Sequence, residues 1–170
     1  TAKWAPDPAP APLKQDLAKA EQLLKEAGWE DTDGDGTLDK EITLNGKPQR
    51  VPFEFTMIVT NQQWRMDLCN LLSADLDKIG VKCNVLPLES STIQERSRKH
   101  EFQAMFGGWG TGTDPDTSEN LWTTKAIKEG RNFGEYSNPE IDKLFEAGKR
   151  EFDPEKRVEI YRQIHMLLWE

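Results

Sequence analysis

From Leu13 onward the apolar residues recur with the period of a helix. Leu17, Ala20, Leu24 and Ala27 fall on one face, and Gly28 stands where a glycine ends a helix. An acidic stretch over residues 30–40 follows. Asn45-Gly46 then sits between the short runs 41–44 and 50–53, the strongest short-range hairpin signal a sequence offers. Val51, Phe53, Phe55, Met57 and Val59 alternate with other residues, so the second arm is expected to continue as one long strand to Thr60. Two helix–strand units come next. Leu68, Leu72, Leu76 and Ile79 place a helix over 63–79, closed by Gly80, and Val81, Cys83 and Val85 share one side of a strand over 81–86. A helix over 92–100 opens on the capping-box spacing of Ser91 and Gln94, and a strand over 102–106 runs into Gly107-Gly108.

Strands and helices alternating through short connections predict an α/β fold with a mainly parallel sheet flanked by helices. The last third is helical. Asn138-Pro139 and Asp153-Pro154 each pair a cap residue with a proline in the first turn. Ile141, Leu144 and Phe145 line the first of these helices; Val158, Tyr161, Ile164 and Leu168 line the second. The pair is expected to cover one face of the sheet. Residues 1–12, rich in proline, read as an extended lead-in, and 13–170 as a single α/β lobe.

Charge narrows the function. Lys+Arg number 22 against 30 Asp+Glu, a net charge of -8, which lacks the basic footprint that nucleic acid or anionic lipid requires. No apolar run approaches the roughly 18 residues of a membrane span. Two His and two Cys speak against a multi-ligand zinc site. The chain opens without a start methionine or signal-like segment and stops inside a helical pattern, so a piece of a larger protein is expected.

Four features could carry chemistry. Asp31, Asp33, Asp35 and Asp39 occupy positions 1, 3, 5 and 9 of an EF-hand-like loop with Gly36 at position 6, which opens calcium as a cofactor. Position twelve is Ile42 instead of the bidentate Glu, and a plain Asx-turn loop is the alternative. Second, residues 107–116 join a strand end to a run of glycines around Trp109. The run matches neither a dinucleotide fingerprint nor a P-loop. Ligands of open α/β sheets sit at the carboxyl ends of strands, where bare glycines admit a ligand to the backbone and Trp109 offers an apolar face with a donor. The alternative is a tight turn with Trp109 in the core. Third, His100 and His165 lie near no nucleophile motif, so no catalytic set emerges. Fourth, measured from the turn at Gly80, Cys69 lies about 15 Å back along its helix and Cys83 only about 7–10 Å along its strand. That mismatch favours two buried free thiols over a disulfide.

The run Ala18-Lys19-Ala20-Glu21-Gln22-Leu23-Leu24-Lys25-Glu26-Ala27-Gly28-Trp29, followed by Asp31-Thr32-Asp33-Gly34-Asp35-Gly36, resembles the family 5 extracellular solute-binding proteins of ABC importers, the dipeptide, oligopeptide and nickel-binding group. Leu76-Asp77-Lys78-Ile79-Gly80-Val81, Phe106-Gly107-Gly108-Trp109 leading to Asp114-Pro115-Asp116, and Tyr136-Ser137-Asn138-Pro139-Glu140-Ile141-Asp142 match in the same order. Asp153-Pro154-Glu155-Lys156-Arg157 with Tyr161-Arg162-Gln163 completes the set. The resemblance implies part of the C-terminal lobe of a two-lobed, periplasmic or cell-surface binding protein that closes over a peptide or other small solute and delivers it to an ABC permease. Residues expected at the ligand are Trp109, Thr111, Gly112, Thr113 and Asp114, with Ser90 and Asn61 at neighbouring strand ends. Two departures stand out. The Asp that in peptide-binding relatives follows the loop Trp by three positions is Gly112 here, and the Trp that commonly follows the strand-end Glu is Ser90 after Glu89. The second class of function is a calcium-stabilised extracellular interaction module; a hydrolase is the residual third.

Overall fold

The computed structural model describes residues 4–5, 9–110 and 112–169. It divides into two compact units, Lys14–Gly108 and a second made of Thr1–Leu13 with Trp109–Glu170.

In the sheet unit, α1 (Leu17–Glu26) starts where the Asp16 carboxylate accepts the Lys19 N–H, and the chain leaves it through Gly28 at φ +84°. Strands β1 (Asp39–Leu44) and β2 (Lys47–Pro52) form an antiparallel hairpin with Leu44 opposite Lys47. Its two-residue turn puts Asn45 at φ 51° and Gly46 at φ 76°, the positive values a right-twisted hairpin needs.

The expected long strand divides here. Pro52 ends β2, and β3 (Glu54–Thr60) belongs to a different sheet. At the break, the Phe53 N–H donates to the Leu38 carbonyl, its own carbonyl accepts from Lys82, and its ring stacks on Trp29 with centroids 4.3 Å apart. α2 (Gln63–Asp77), β4 (Lys82–Leu88), α3 (Ser90–Arg98) and β5 (Ala104–Phe106) complete a three-stranded parallel sheet in the order β4-β3-β5. The predicted parallel α/β architecture is present. Central β3 is buried on both faces at Met57, Ile58 and Val59, as a strand between parallel neighbours must be. Its core takes in Cys69 and Cys83, both free thiols. The predicted capping box does not form: α3 begins at Ser90 with Glu89 as its N-cap, which places Ser91 inside the helix.

In the second unit, a 3-10 turn (Pro115–Ser118) and the short helices α4 (Glu119–Trp122) and α5 (Ala126–Glu129) lead to the pair α6 (Pro139–Arg150) and α7 (Pro154–Trp169). Asn138 caps α6 by accepting the Glu140 N–H at 2.9 Å, and Asp153 accepts the Glu155 N–H at 2.9 Å. The pair builds a core of its own from Ile141, Phe145, Tyr161 and Ile164, joined by Trp4 and Tyr136. Gly148 lets the helices meet: a Cβ there would lie 2.8 Å from the Tyr161 ring. Asn132, buried, ties the preceding loop together by donating to the Thr123 and Tyr136 carbonyls and accepting the Tyr136 N–H.

Candidate functional site

The parallel register brings the carboxyl ends of β3 and β4 to one pole of the sheet unit, with Thr60 opposite Leu88. Asn61 follows β3 and Glu89 follows β4. The Asn61 Nδ2 donates to Glu89 Oε1 at 2.6 Å and ties the two ends together. Ser90, exposed, is the first residue of α3 beside this pair. Two residues here have no motif that could have announced them. Thr60 Oγ1 and Arg65 Nε are shut off from solvent with no hydrogen-bond partner among the described residues, and the Arg65 guanidinium lies over the Trp64 ring at 5.0 Å from its centroid.

The glycine-rich run crosses from one unit to the other at Gly108–Trp109. Trp109 is 46% exposed, so the packed-in-the-core alternative does not hold. The Phe133 ring lies against it, tilted by 50° with centroids 5.8 Å apart, and the Arg131 guanidinium lies over it at 5.2 Å. A Cβ added at Gly107, Gly108 or Gly110 would meet no described atom within 4 Å, and none of the three has a positive φ. Neither crowding nor backbone conformation within the described residues therefore requires glycine at these positions.

Past Trp109 the loop is braced residue by residue. Thr111 lies outside the described residues. Gly112 packs against Thr117, where a Cβ would come within 3.3 Å of Cγ2. The Thr113 carbonyl accepts from Trp4 Nε1 at 3.2 Å. Asp114 caps the 3-10 turn by accepting the Asp116 N–H, and Arg157 grips it with Nη2 on Oδ1 at 2.9 Å and Nη1 on Oδ2 at 3.2 Å. Tyr161 Oη donates to Asp116 Oδ1 at 2.8 Å, and burial together with that carboxylate pushes the phenol well above its ordinary range. Trp4 meets the Tyr161 ring edge-on and lies under Arg157. Its part in bracing the loop was invisible in a proline-rich lead-in. Asp114 thus already has a cation on it.

The acidic loop is likewise occupied by its own chain. Carboxylate oxygens of Asp31, Asp33 and Asp39 lie within 4.8 Å of one another, while Asp35 stands outside the group. Asp31 accepts the N–H groups of Gly34 and Gly36, Asp33 that of Asp35, and Asp35 that of Thr37. Asp39, almost fully buried, receives the Thr32 hydroxyl and N–H and an ion pair from Arg50. Burial raises its pKa, but the Thr32 hydrogen bonds and the Arg50 charge outweigh that and hold the carboxyl below the usual range.

Residues 1–130 match the model of the bacterial extracellular solute-binding proteins, family 5, middle region. The chain is 36% identical over 156 residues to the oligopeptide-binding protein AppA of Bacillus subtilis, covering 89% of this chain and 27% of AppA. Against a dipeptide-binding protein of Pseudomonas aeruginosa the identity is 32% over 170 residues, 99% of this chain and 29% of that one. The solved structure of AppA in complex with a nonapeptide matches with a TM-score of 0.74 at 34% identity, over 91% of this chain and 31% of that chain. NikZ from Campylobacter jejuni, solved in complex with Ni(L-His), matches at TM-score 0.71 and 26% identity, over 88% and 29%. The chain spans less than a third of the length of these relatives.

Proposed function

The chain belongs to the bacterial extracellular solute-binding proteins of family 5, and from that premise we propose that it captures a solute outside the cytoplasm for ABC-type import, supplying one wall of the cleft. The cargo is a peptide or peptide-like molecule, in line with the names of the relatives, and the partner of the whole protein is an ABC permease. No helix among the described residues is long and apolar enough to cross a membrane.

The observation that carries this reading is the half-exposed Trp109 beside Gly107, Gly108 and Gly110, over which no atom of the described residues stands within 4 Å of where a Cβ would be. A half-exposed indole braced by the tilted Phe133 ring and by Arg131 offers a stacking face, and backbone without side chains offers N–H and C=O groups to an extended peptide. Trp109, Thr111, Gly112 and Thr113 are the proposed contacts, with Asp114 fixing the loop's shape at its exposed edge. Asn61 and Ser90 are the proposed contacts on the sheet unit. Gly112 and Ser90 replace the ionic anchor and the aromatic platform of peptide-binding relatives, so affinity rests on stacking and backbone hydrogen bonds.

Calorimetric titration of the chain with tri-alanine tests the reading. Saturable binding that Trp109→Ala weakens about tenfold or more supports it, on the scale of one lost aromatic anchor. Absence of binding, or binding indifferent to Trp109→Ala, removes it. The second reading, a calcium-stabilised extracellular interaction module, has the grouping of Asp31, Asp33 and Asp39 in its favour and the Arg50 ion pair on Asp39 against it.

A further inference from the structure

A cleft of about 550 Å³ opens in the sheet unit between α1, the acidic loop and the turn that joins α2 to β4. That volume lies within the range of small-molecule sites. The cleft shares no lining residue with the proposed solute contacts. Its walls are fixed by backbone hydrogen bonds. The Trp29 N–H donates to the Leu24 carbonyl at 3.0 Å, Glu30 and Asp39 exchange bonds of 3.1 and 2.8 Å, and the Leu38 N–H donates to the Gly80 carbonyl at 2.8 Å. A Cβ on Gly80 would lie 2.9 Å from Leu38 Cγ, so loop and turn are in direct contact.

Half-buried Trp29, Leu38 and Ile79 give the cleft apolar surface. Charged groups line the rest, and they do not balance. Lys78 is held by Asp75 at 2.7 Å, and Asp31 by the Gly34 and Gly36 N–H groups. The exposed side chains of Glu21, Glu30 and Lys25 have no ion-pair or hydrogen-bond partner among the described residues. Two carboxylates against one ammonium leave negative charge in excess, in a chain whose net charge of -8 already draws cations. Phe53 stacks on the Trp29 ring and Lys40 lies over it at 5.9 Å, so the ring contributes apolar surface while the carboxylates are left to meet a charge.

We propose that this cleft binds a small amphipathic cation, a primary ammonium carrying an apolar arm. The ammonium sits on Glu21 and Glu30, and the arm lies against Trp29, Leu38 and Ile79. The site is separate from solute capture and stands or falls without it.

The isotope-labelled chain is titrated with phenethylamine, phenethyl alcohol and hydrocinnamate, which share an arm and differ in charge, while amide resonances are followed by NMR. The amine is expected to shift Gly36, Ile79 and Gly80 saturably and to bind about 3- to 10-fold more tightly than the alcohol, the scale of one or two partly exposed ion pairs. Hydrocinnamate is expected to bind no more tightly than the alcohol. In the double variant Glu21→Gln with Glu30→Gln the advantage of the amine disappears. The proposal is overturned if the alcohol or hydrocinnamate binds as tightly as the amine, or if the advantage survives in the double variant. It is equally overturned if the amine leaves Gly36, Ile79 and Gly80 unmoved or shifts them without saturation. Should the double variant prove unfolded by circular dichroism, the three probes compared on the unsubstituted chain decide the matter.

Discussion

Gly148→Ala tests how closely α6 and α7 approach, because two opposite effects meet at that residue. In an isolated helix the change would stabilise by about 1 kcal/mol, the propensity difference between the two residues. Here the new methyl would lie 2.8 Å from both Cζ and Oη of Tyr161 and 3.0 Å from Cε2. Carbon atoms pack best at about 3.5–4 Å, so the ring must retreat by most of an ångström. Overpacking of a closed core costs about 1–3 kcal/mol. The retreat also pulls Oη away from Asp116 and disturbs the Gly148 carbonyl, which accepts from Arg157 Nε at 3.0 Å. A hydrogen bond to a charged group contributes about 1.5–3 kcal/mol. After the propensity gain is subtracted, a net loss of about 2–4 kcal/mol is expected, a fall in Tm of about 5–15 °C for a chain of this length. Thermal and urea unfolding followed by circular dichroism measure it. In a Tyr161→Phe background, which lacks one of the two nearest atoms, Gly148→Ala should cost less, with a coupling of about 0.5 kcal/mol or more. A Tm that is unchanged or raised by Gly148→Ala would refute the close contact and with it the brace on the Asp114–Asp116 loop.

Arg50→Ala should make the sheet unit more sensitive to acid. The Asp39 carboxyl is depressed in the folded chain, so its contribution is present above the ordinary carboxylate pKa near 4 and is lost as pH falls through the folded value. Without Arg50 the loss begins at higher pH, and coincident acid-unfolding curves for the two proteins would count against the pair. Calcium at millimolar concentration, compared with a chelator, should leave the melting temperature unchanged, because the loop carboxylates already accept backbone N–H groups and Asp39 already has Arg50. A calcium-dependent rise would assign the loop to metal instead. Cys69 and Cys83 should resist a thiol reagent in the folded protein, since burial removes access and pushes both thiols up. Labelling faster than the unfolding rate measured independently would contradict that placement.

What the sequence disclosed and what it hid divide along one physical line. Asp16 with Gly28, Asn45-Gly46, Asn138-Pro139 and Asp153-Pro154 act through the backbone within a few residues, and each does in the structure what its local chemistry requires. The period of β3 was legible for the same reason. Its end at Phe53 was not, because alternation continues unbroken through residues 51–59 while the strand partner changes from β1 to β4 and β5. A change of partner leaves the side-chain period untouched and shows itself only in the hydrogen bonds of Phe53. The failed capping box has a related cause. Ser91-x-x-Gln94 carries the right spacing, but Glu89, tied to Asn61 across the strand ends, sets the start of α3 at Ser90.

The candidate site follows the same division. Trp109 and its glycines were readable because an apolar ring among residues without side chains is anomalous in composition alone. Trp4, Arg131, Phe133, Arg157 and Tyr161, which fix the shape of that loop, act from distant points in the chain. Arg65 and Thr60 lay deeper still. An arginine on a helix is ordinary by type and by position, and it becomes informative only when the fold shuts one donor, its Nε, away from solvent with no acceptor among the described residues. Residues that build a fold declare themselves by period and by caps. Those that brace a loop from a distance declare themselves only in the finished fold, as Trp4 and Arg157 do on Thr113 and Asp114.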